Sequence, residues 1–466
     1  MSASFSYITD AIASKSLRPG TKVLFATFPA DGHFNPLTGL AMHLKSIGCD
    51  VRWYTSKTYA EKLSKLGIQH YPLKKALDIT GDNIDTIFPE RKQRKSQLSK
   101  LKFDIIHVFV LRAPEYFDDV QDIYQTFPFE LVISDIAFTA APIIKEKMPV
   151  PVVTMGIMPL METSKDLPPA GMAMLPSYSF WGRKKQHILR YISDKVLFKK
   201  PYQVLSDMLG KYNIQPEGNL FDTIIRKSDL LLQSGTPGFE YFRSDLGKNI
   251  RYIGPLLPYV SNKHSQPWYD DRLSRYDKVI LVTQGTVEKD IHKIIVPTLE
   301  AFKNSDCLVV VTTGGSGTQE LKIRYSQENI IIEDFIPFSD IMPYADVYVT
   351  NGGYGGVMLG IQNQLPMVVA GIHEGKNEIC ARIGYFKLGI NLKTERPLPT
   401  QIKKAVEEIL SNVLYKNNVI KMCKEFSAYN PNELSVKYIS ELLHQPIQMI
   451  EDPASHNAVA RVLEEA

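Results

Sequence analysis

Short runs rich in Val, Ile and Leu recur along this chain with longer helical patterns between them, and that alternation restricts the fold more than any other feature. It is the pattern of parallel sheets wrapped by helices, an α/β fold. The first half offers strands at Lys22–Thr27, Val51–Thr55, Ile105–Val110, Leu131–Ser134, Val152–Met155 and Leu230–Gln233. The second half repeats the pattern at Val279–Thr283, Leu308–Thr312, Ile330–Glu333, Val347–Thr350 and Pro366–Ala370. Between the two sets Gly254, Pro255, Pro258 and Pro267 lie among polar residues, as in an interdomain connection. The expected organisation is a first domain over residues 1–255, a linker over 256–277, a second domain over 278–430, a helix over 431–445 and a partly mobile tail over 446–466.

The stretch Val347–Glu378 reads as a strand, a glycine-rich turn, a helix, a second strand and a polar loop. Gly352, Gly353, Gly355 and Gly356 let the backbone turn tightly and present N–H groups at the start of the helix near Val357. An anion such as a diphosphate can be held there without a metal, although a flexible turn between strand and helix reads the same way. The N-terminal counterpart is Phe28–Val51. There Gly32 permits a sharp turn, Pro36 suits a first helical turn, and Leu37, Leu40, Ala41, Leu44 and Ile47 give an apolar helix face. His33 is thereby held at the carboxyl edge of the first strand, where open α/β sheets bind ligands; a capping or core histidine is the plain alternative. No G-x-G-x-x-G follows this strand, and the second strand ends in Trp53, Tyr54 and Thr55 without an acid, which argues against nicotinamide chemistry.

With 466 residues and 44% hydrophobic content, the chain is long enough for two substantial cores. A net charge of +4 leaves no nucleic-acid footprint. The clusters Arg91, Lys92, Arg94, Lys95 and Arg183, Lys184, Lys185 read as solvated loops, with contact to anionic lipid headgroups as the alternative. Cys49, Cys307, Cys380 and Cys423 are dispersed without a zinc spacing and fit a reducing cytosol. The first twenty residues lack a continuous apolar core, and Met148–Met161 is broken by Pro149, Pro151 and Pro159, so a cytoplasmic protein without stable membrane insertion is expected.

The pairing of PADGHFNP near the start with GPL at Gly254, Pro255 and Leu256 and with TNGGYGG in the second half resembles the GT-B glycosyltransferases that use sugar nucleotides. More closely, it is similar to the family containing plant secondary-metabolite and bacterial macrolide or flavonoid glycosyltransferases, a flavonoid rhamnosyltransferase among the options. The resemblance covers about residues 20–445. It implies two Rossmann-like domains facing across a cleft and transfer of a sugar, with inversion, from a TDP- or UDP-linked donor to a hydroxyl of a small apolar or aromatic acceptor such as a flavonoid. His33 then matches the general base, since an imidazole titrates near neutral pH. Asp135 matches the carboxylate that orients it, with a helix N-cap as the alternative role. Asp31 is close enough to bind the acceptor or assist His33. Thr286, after Gln284 and Gly285, is implied near the diphosphate. Phe335 is implied to stack on the nucleotide base, or else to be a core aromatic, with Ile336 giving backbone contacts.

The departures bear on the donor. Where the family commonly has a histidine and a hydroxyl, this chain has Asn351, Gly352, Gly353, Tyr354, Gly355 and Gly356, so the turn carries less positive charge. The loop that commonly reads Asp-Gln before an Asn reads Glu374, Gly375, Lys376, Asn377; Glu374 and Asn377 can still meet sugar hydroxyls, whereas Gly375 cannot. A TDP-linked deoxysugar such as rhamnose would need fewer such contacts. No Asp-x-Asp element follows a strand, so metal-independent transfer is expected, with no cofactor beyond the nucleotide-sugar co-substrate. Leu160–Tyr202 is rich in Met, Pro and aromatic residues, and Met158, Met161, Met172 and Phe180 are candidates to line an acceptor pocket or simply to pack locally. A lipid or sterol acceptor fits as well, as does a non-catalytic protein that only binds sugar nucleotides.

Overall fold

The computed structural model describes residues 17–260, 267–285 and 288–444. Its first sheet has seven parallel strands in the order β3-β2-β1-β4-β5-β6-β7. They are β1 (Lys22–Ala26), β2 (Asp50–Thr55), β3 (Gln69–Pro72), β4 (Leu131–Asp135), β5 (Val152–Gly156), β6 (Leu230–Ser234) and β7 (Ile250–Gly254). The second sheet is also parallel, in the order β10-β9-β8-β11-β12-β13. Its members are β8 (Lys278–Thr283), β9 (Cys307–Thr312), β10 (Ile330–Glu333), β11 (Val347–Thr350), β12 (Met367–Val369) and β13 (Gly389–Asn391). Central strands such as β1 and β4 are buried along nearly their whole length, as parallel strands covered by helices on both faces must be.

Both sheets change winding direction at a central pair. In the first, β1 pairs with β2 on one side and β4 on the other; in the second, β8 pairs with β9 and β11. At such a switch the connections leave to opposite faces, and a crevice opens beyond the carboxyl ends of the two strands. The residues after β1, β4, β8 and β11 are therefore the ones each domain offers to a ligand.

The helices that matter to the site follow β1, β5, β11 and β12, with one more at the end of the described chain. A single turn, α1 (Asp31–Phe34), and α2 (Thr38–Ser46) follow β1; α3 (Phe180–Ile192) follows β5; α4 (Tyr354–Gln362) follows β11; α5 (Lys376–Tyr385) follows β12; α6 (Pro431–Leu443) ends the described chain. Leu40, Ala41 and Leu44 of α2 are fully buried against the first sheet, each leucine contributing roughly 1.5–3 kcal/mol. Although α6 lies after the second domain in sequence, it packs on α2, β6 and β7 of the first.

One expected strand is helical. Ile105–Val110 forms a π-helical turn over Ile105–Phe109 that runs into a 3-10 turn at Val110–Arg112. A six-residue apolar run carries no period of its own, and here no Gly or Pro separates it from the helix before it, Gln97–Asp104. The sheet has no vacancy for it either, because β4 pairs directly with β1. The tail beyond residue 444 lies outside the described residues, as do residues 1–16 and residues 261–266 of the linker.

Candidate active site

His33 sits in α1, whose first residue follows the extended Ala30, so the chain leaves β1 and turns at once into a helix. Its Nδ1 lies 2.7 Å from Oδ1 of Asp135, the last residue of β4 on the other side of the switch. The Asp135 carboxylate is fully buried. It also accepts the Phe28 N–H at Oδ2 and the Ala137 N–H at Oδ1, both at 2.7 Å. The bond to Ala137 is the local turn that a capping aspartate would make, and the other two tie β1 and His33 to it. An ionised carboxylate can only accept, so the proton between the two side chains belongs to Nδ1 and leaves Nε2 with a free lone pair. The ring, edge-on to Phe28 at 5.6 Å, is 21% exposed, so it is held by protein yet open on one side.

Asp31 is turned elsewhere. Its carboxylate pairs with Lys62 at 2.8 Å and also hydrogen-bonds to the Tyr59 hydroxyl. Both partners sit in the segment after β2, so Asp31 is engaged away from the His33–Asp135 pair.

On the second domain Asn351 follows β11 and ties the switch together. Its Nδ2 donates to the carbonyl of Gln284 after β8, and its Oδ1 accepts the Gly353 N–H at 3.3 Å. Gly352 has φ +75°, and a Cβ there would stand 2.4 Å from Cys380 Sγ. The first helical bond of α4 runs from Val357 N–H to the Gly353 carbonyl at 3.0 Å. The N–H groups of Tyr354, Gly355 and Gly356 precede it, at the positive end of the helix dipole. A Cβ at Gly355 would meet open space, whereas one at Gly356 would approach the Tyr348 hydroxyl at 3.1 Å. Gly352→Ala is expected to destabilise the protein by about 1–3 kcal/mol, through left-handed strain and overpacking. Gly355→Ala should leave the melting temperature within about a degree of the parent while raising the donor KM, because its methyl projects into open space at the helix start. Thermal melts with donor-saturation kinetics check both.

Tyr354 and Asn377 are spent on joining the domains. The Tyr354 hydroxyl donates to the Ser234 carbonyl at the end of β6 at 2.6 Å, and burial holds its pKa well above the usual value, so it remains a donor. Asn377 Nδ2 donates to the Gly171 carbonyl at 2.9 Å. What these two offer a ligand is backbone. Glu374 has φ +57° and pairs with Lys376 at 2.5 Å. Phe335 is 70% exposed beyond β10, not a core aromatic, while Ile336 beside it is buried. Thr286 lies outside the described residues.

Of the methionines, Met158 reaches the second domain: its methyl is 3.7 Å from where a Cβ on Gly375 would stand. Met161 lines an interdomain pocket with Leu167, Met174, Tyr241, Glu378 and Arg382. Met172 is 38% exposed between Gly171 and Ala173, both of which bond to α5. Phe180 lies apart from this lining. It is 63% exposed on α3, with Lys184 Nζ 4.5 Å from its ring.

Two ionic clusters had no sequence signal. Arg382 of α5 is buried and binds Glu240 of the first domain at 2.7 Å and Glu378 at 3.0 Å, and its guanidinium lies 4.4 Å from the Tyr241 ring. Burial lowers the Arg382 pKa, but the charges of Glu240 and Glu378 more than offset this, so it stays charged. Beside Asn351, Lys293 pairs with Glu288 at 2.5 Å and Glu395 at 3.2 Å in a small pocket that Lys376 also lines. Among the described residues no group of three His, Cys, Asp or Glu is placed to hold a metal ion.

Residues 279–436 match the family model described as UDP-glucoronosyl and UDP-glucosyl transferase. The chain is 30% identical over 412 residues to 4'-demethylrebeccamycin synthase of Lentzea aerocolonigenes, an alignment covering 88% of this chain and 96% of that protein. It is 30% identical over 432 residues to UDP-glucosyltransferase 1 of Beauveria bassiana, covering 86% and 91% respectively. The solved glycosyltransferase of kitacinnamycin superposes with a TM-score of 0.70 at 18% identity, covering 92% of this chain and 100% of that one. At that identity the likeness speaks for the fold, which is GT-B.

Proposed function

We propose, from the premise that the chain belongs to the UDP-glucoronosyl and UDP-glucosyl transferase family, that His33 is the general base of an inverting transfer from a nucleotide sugar to a hydroxyl of a small acceptor. The observation that carries this reading is the 2.7 Å bond from His33 to the buried Asp135. It fixes the ring, puts the proton on Nδ1 and leaves Nε2 to receive another.

In this mechanism the acceptor hydroxyl gives its proton to Nε2 while its oxygen bonds to the anomeric carbon. The bond from that carbon to the diphosphate oxygen breaks on the opposite face, which inverts the configuration. Asp135 stabilises the imidazolium that forms. The leaving diphosphate gains charge, and the N–H groups of Tyr354, Gly355 and Gly356 with the α4 dipole are suited to receive it. The exposed ring of Phe335 suits stacking on the base, and Glu374 with the backbone of Asn377 would face the sugar. This transfer needs no metal and no cofactor other than the donor, so an excess of chelator is expected to leave the rate unchanged; a loss restored by a divalent cation would overturn that point.

We assign the donor to the UDP- or TDP-linked class. Relatives that are UDP-glucosyltransferases, such as that of Beauveria bassiana, favour UDP; Asn351, Gly356 and Gly375 favour a sugar that asks fewer contacts, such as rhamnose. Acceptors are small and apolar or aromatic, a flavonoid being one example. The Met158 and Met161 surroundings support this, and they fit a lipid or sterol acceptor as a second reading. A mass-spectrometric screen of UDP-glucose and TDP-rhamnose against flavonoid and sterol acceptors tests these choices. Turnover with UDP-glucose alone would remove the rhamnose assignment, and absence of turnover with every pair would favour a binding protein.

A further inference from the structure

Helix α3 is amphipathic in the reverse of the usual sense. Its protein-facing side is polar: Gln186 is buried, accepts the Ser177 N–H at 2.6 Å and donates to the Asp166 carbonyl at 2.9 Å. One turn on, Arg190 donates to the carbonyls of Leu167 and Lys165, and Ser193 is buried beside them in sequence phase. The opposite side carries Phe180, Trp181, Ile188 and Tyr191, which are 63%, 75%, 56% and 62% exposed, and Val196 prolongs it at 63%. Trp181 and Ile188 are seven apart and Ile188 and Tyr191 three apart, which with Phe180 and Val196 puts them on one side of the helix, in a stripe about 20 Å long. A stripe of this kind gains nothing from folding and gains on being covered.

The charges say by what. From Phe180 to Tyr202 there are seven basic residues and a single acid, Asp194. Lys184 lies in the stripe itself, its ammonium 4.5 Å from the Phe180 ring and 5.3 Å from the Trp181 ring. Trp and Tyr beside Lys and Arg on an apolar face match the boundary between acyl chains and headgroups, where rings are half immersed and long cationic side chains reach the phosphates. A second copy of this face would bring like charges together. Among the described residues no helix is long and apolar enough to span a bilayer.

We propose that α3 docks the enzyme on an anionic membrane surface, with Trp181 and Ile188 entering the headgroup boundary and Lys184 and Lys185 binding its charge. The carbonyls that receive the helix belong to Lys165–Leu167, a few residues before the Gly171–Ala173 segment that bonds to α5. Docking thus brings the acceptor side of the interdomain pocket toward the lipid, which rests on the glycosyltransfer reading; the docking itself does not.

Flotation of the full chain with vesicles of phosphatidylcholine, alone or mixed with phosphatidylserine, tests this. Binding is expected to the mixed vesicles, weakening with added salt. It should fall by about tenfold or more in Lys184→Glu/Lys185→Glu and in Trp181→Ser/Ile188→Ser. Trp53 is fully buried and Trp268 is half-buried against the second domain, so a blue shift of tryptophan emission that Trp181→Ser abolishes would report insertion of α3 itself. Equal binding to both vesicle types, no binding, or a self-association that the Trp181→Ser/Ile188→Ser change dissolves would each overturn the proposal. All four positions are exposed, so unchanged melting temperatures separate lost docking from misfolding, and an unchanged rate on a dissolved acceptor keeps this test distinct from that of the catalytic reading.

Discussion

Replacing His33 by Ala is expected to lower kcat by about 10²–10⁴-fold, the range over which a positioned base assists proton transfer, while donor KM changes little. That is about 1.4 kcal/mol of transition-state stabilisation for each tenfold step. The folded state should tolerate the change, because the ring is 21% exposed and its partner Asp135 keeps two backbone donors. Asp135→Asn separates orientation from mere presence. Three donors converge on the carboxylate, the N–H groups of Phe28 and Ala137 and the His33 ring, and a carboxamide has one acceptor oxygen with which to meet them. Oδ1 serves the His33 ring and the Ala137 N–H and Oδ2 serves the Phe28 N–H, so the NH2 must face either the first two or the third. If it faces His33, the imidazole is driven to the tautomer with its proton on Nε2, and the base is lost although the residue remains. If it faces Phe28 instead, the ring keeps its tautomer but loses the negative charge that stabilises the imidazolium, so in either orientation Asp135→Asn should lose activity toward the scale of His33→Ala, with a lower melting temperature, and the double variant should be little worse than either. Initial rates with saturating donor, alongside thermal melts, decide it. Activity of His33→Ala within a few fold of the parent would remove His33 from the mechanism.

That pair was legible only in part. Local pattern puts His33 just after a strand and Asp135 at the end of another, and nothing local joins residues 102 apart. The winding switch between β1 and β4 joins them, and it depends on which strands pair, something apolar runs do not state. Long buried strands such as β8 and β9 were readable because burial on both faces requires uninterrupted apolar residues. The short edge strands were not: β3 is Gln-His-Tyr-Pro and half exposed, and β13 is three residues beginning with glycine. Ile105–Val110 misled for the converse reason, since composition without period does not distinguish a buried turn of helix from a strand. The glycines of the turn were readable as a tight bend. That Gly352 is also required by Cys380 packing against it was not, because the contact comes from α5. The same limit hid the tie between the domains. Glu240 and Arg382 are ordinary charged residues in sequence, 142 apart, and become a buried pair only when the two sheets meet.

Arg382→Met is expected to cost about 3–5 kcal/mol of stability, the usual range when one partner of a buried ionic group is removed. The variant leaves Glu240 and Glu378, whose side chains are 4% and 9% exposed, without their cation. The cost falls on the interface, because Glu240 also accepts the Leu160 N–H at 2.8 Å and Glu378 accepts the Ala173 N–H at 2.7 Å, so two first-domain segments are held through carboxylates that Arg382 neutralises. Loss of volume alone predicts a smaller effect, since Met fills much of the guanidinium's space. The two causes are separable by adding Glu240→Gln. A glutamine can keep its carbonyl on the Leu160 N–H while removing one uncompensated charge, so Arg382→Met/Glu240→Gln should be more stable than Arg382→Met alone, whereas a packing defect would make the double variant no better. Acid should act in the same direction: protonating the orphaned carboxylates removes the charge that the protein cannot solvate, so the gap between Arg382→Met and the parent should narrow as pH falls from neutral toward the carboxylate range. Denaturant unfolding at several pH values gives both readouts, and a gap that stayed constant with pH would mean that the Arg382 charge is not what holds the two domains together.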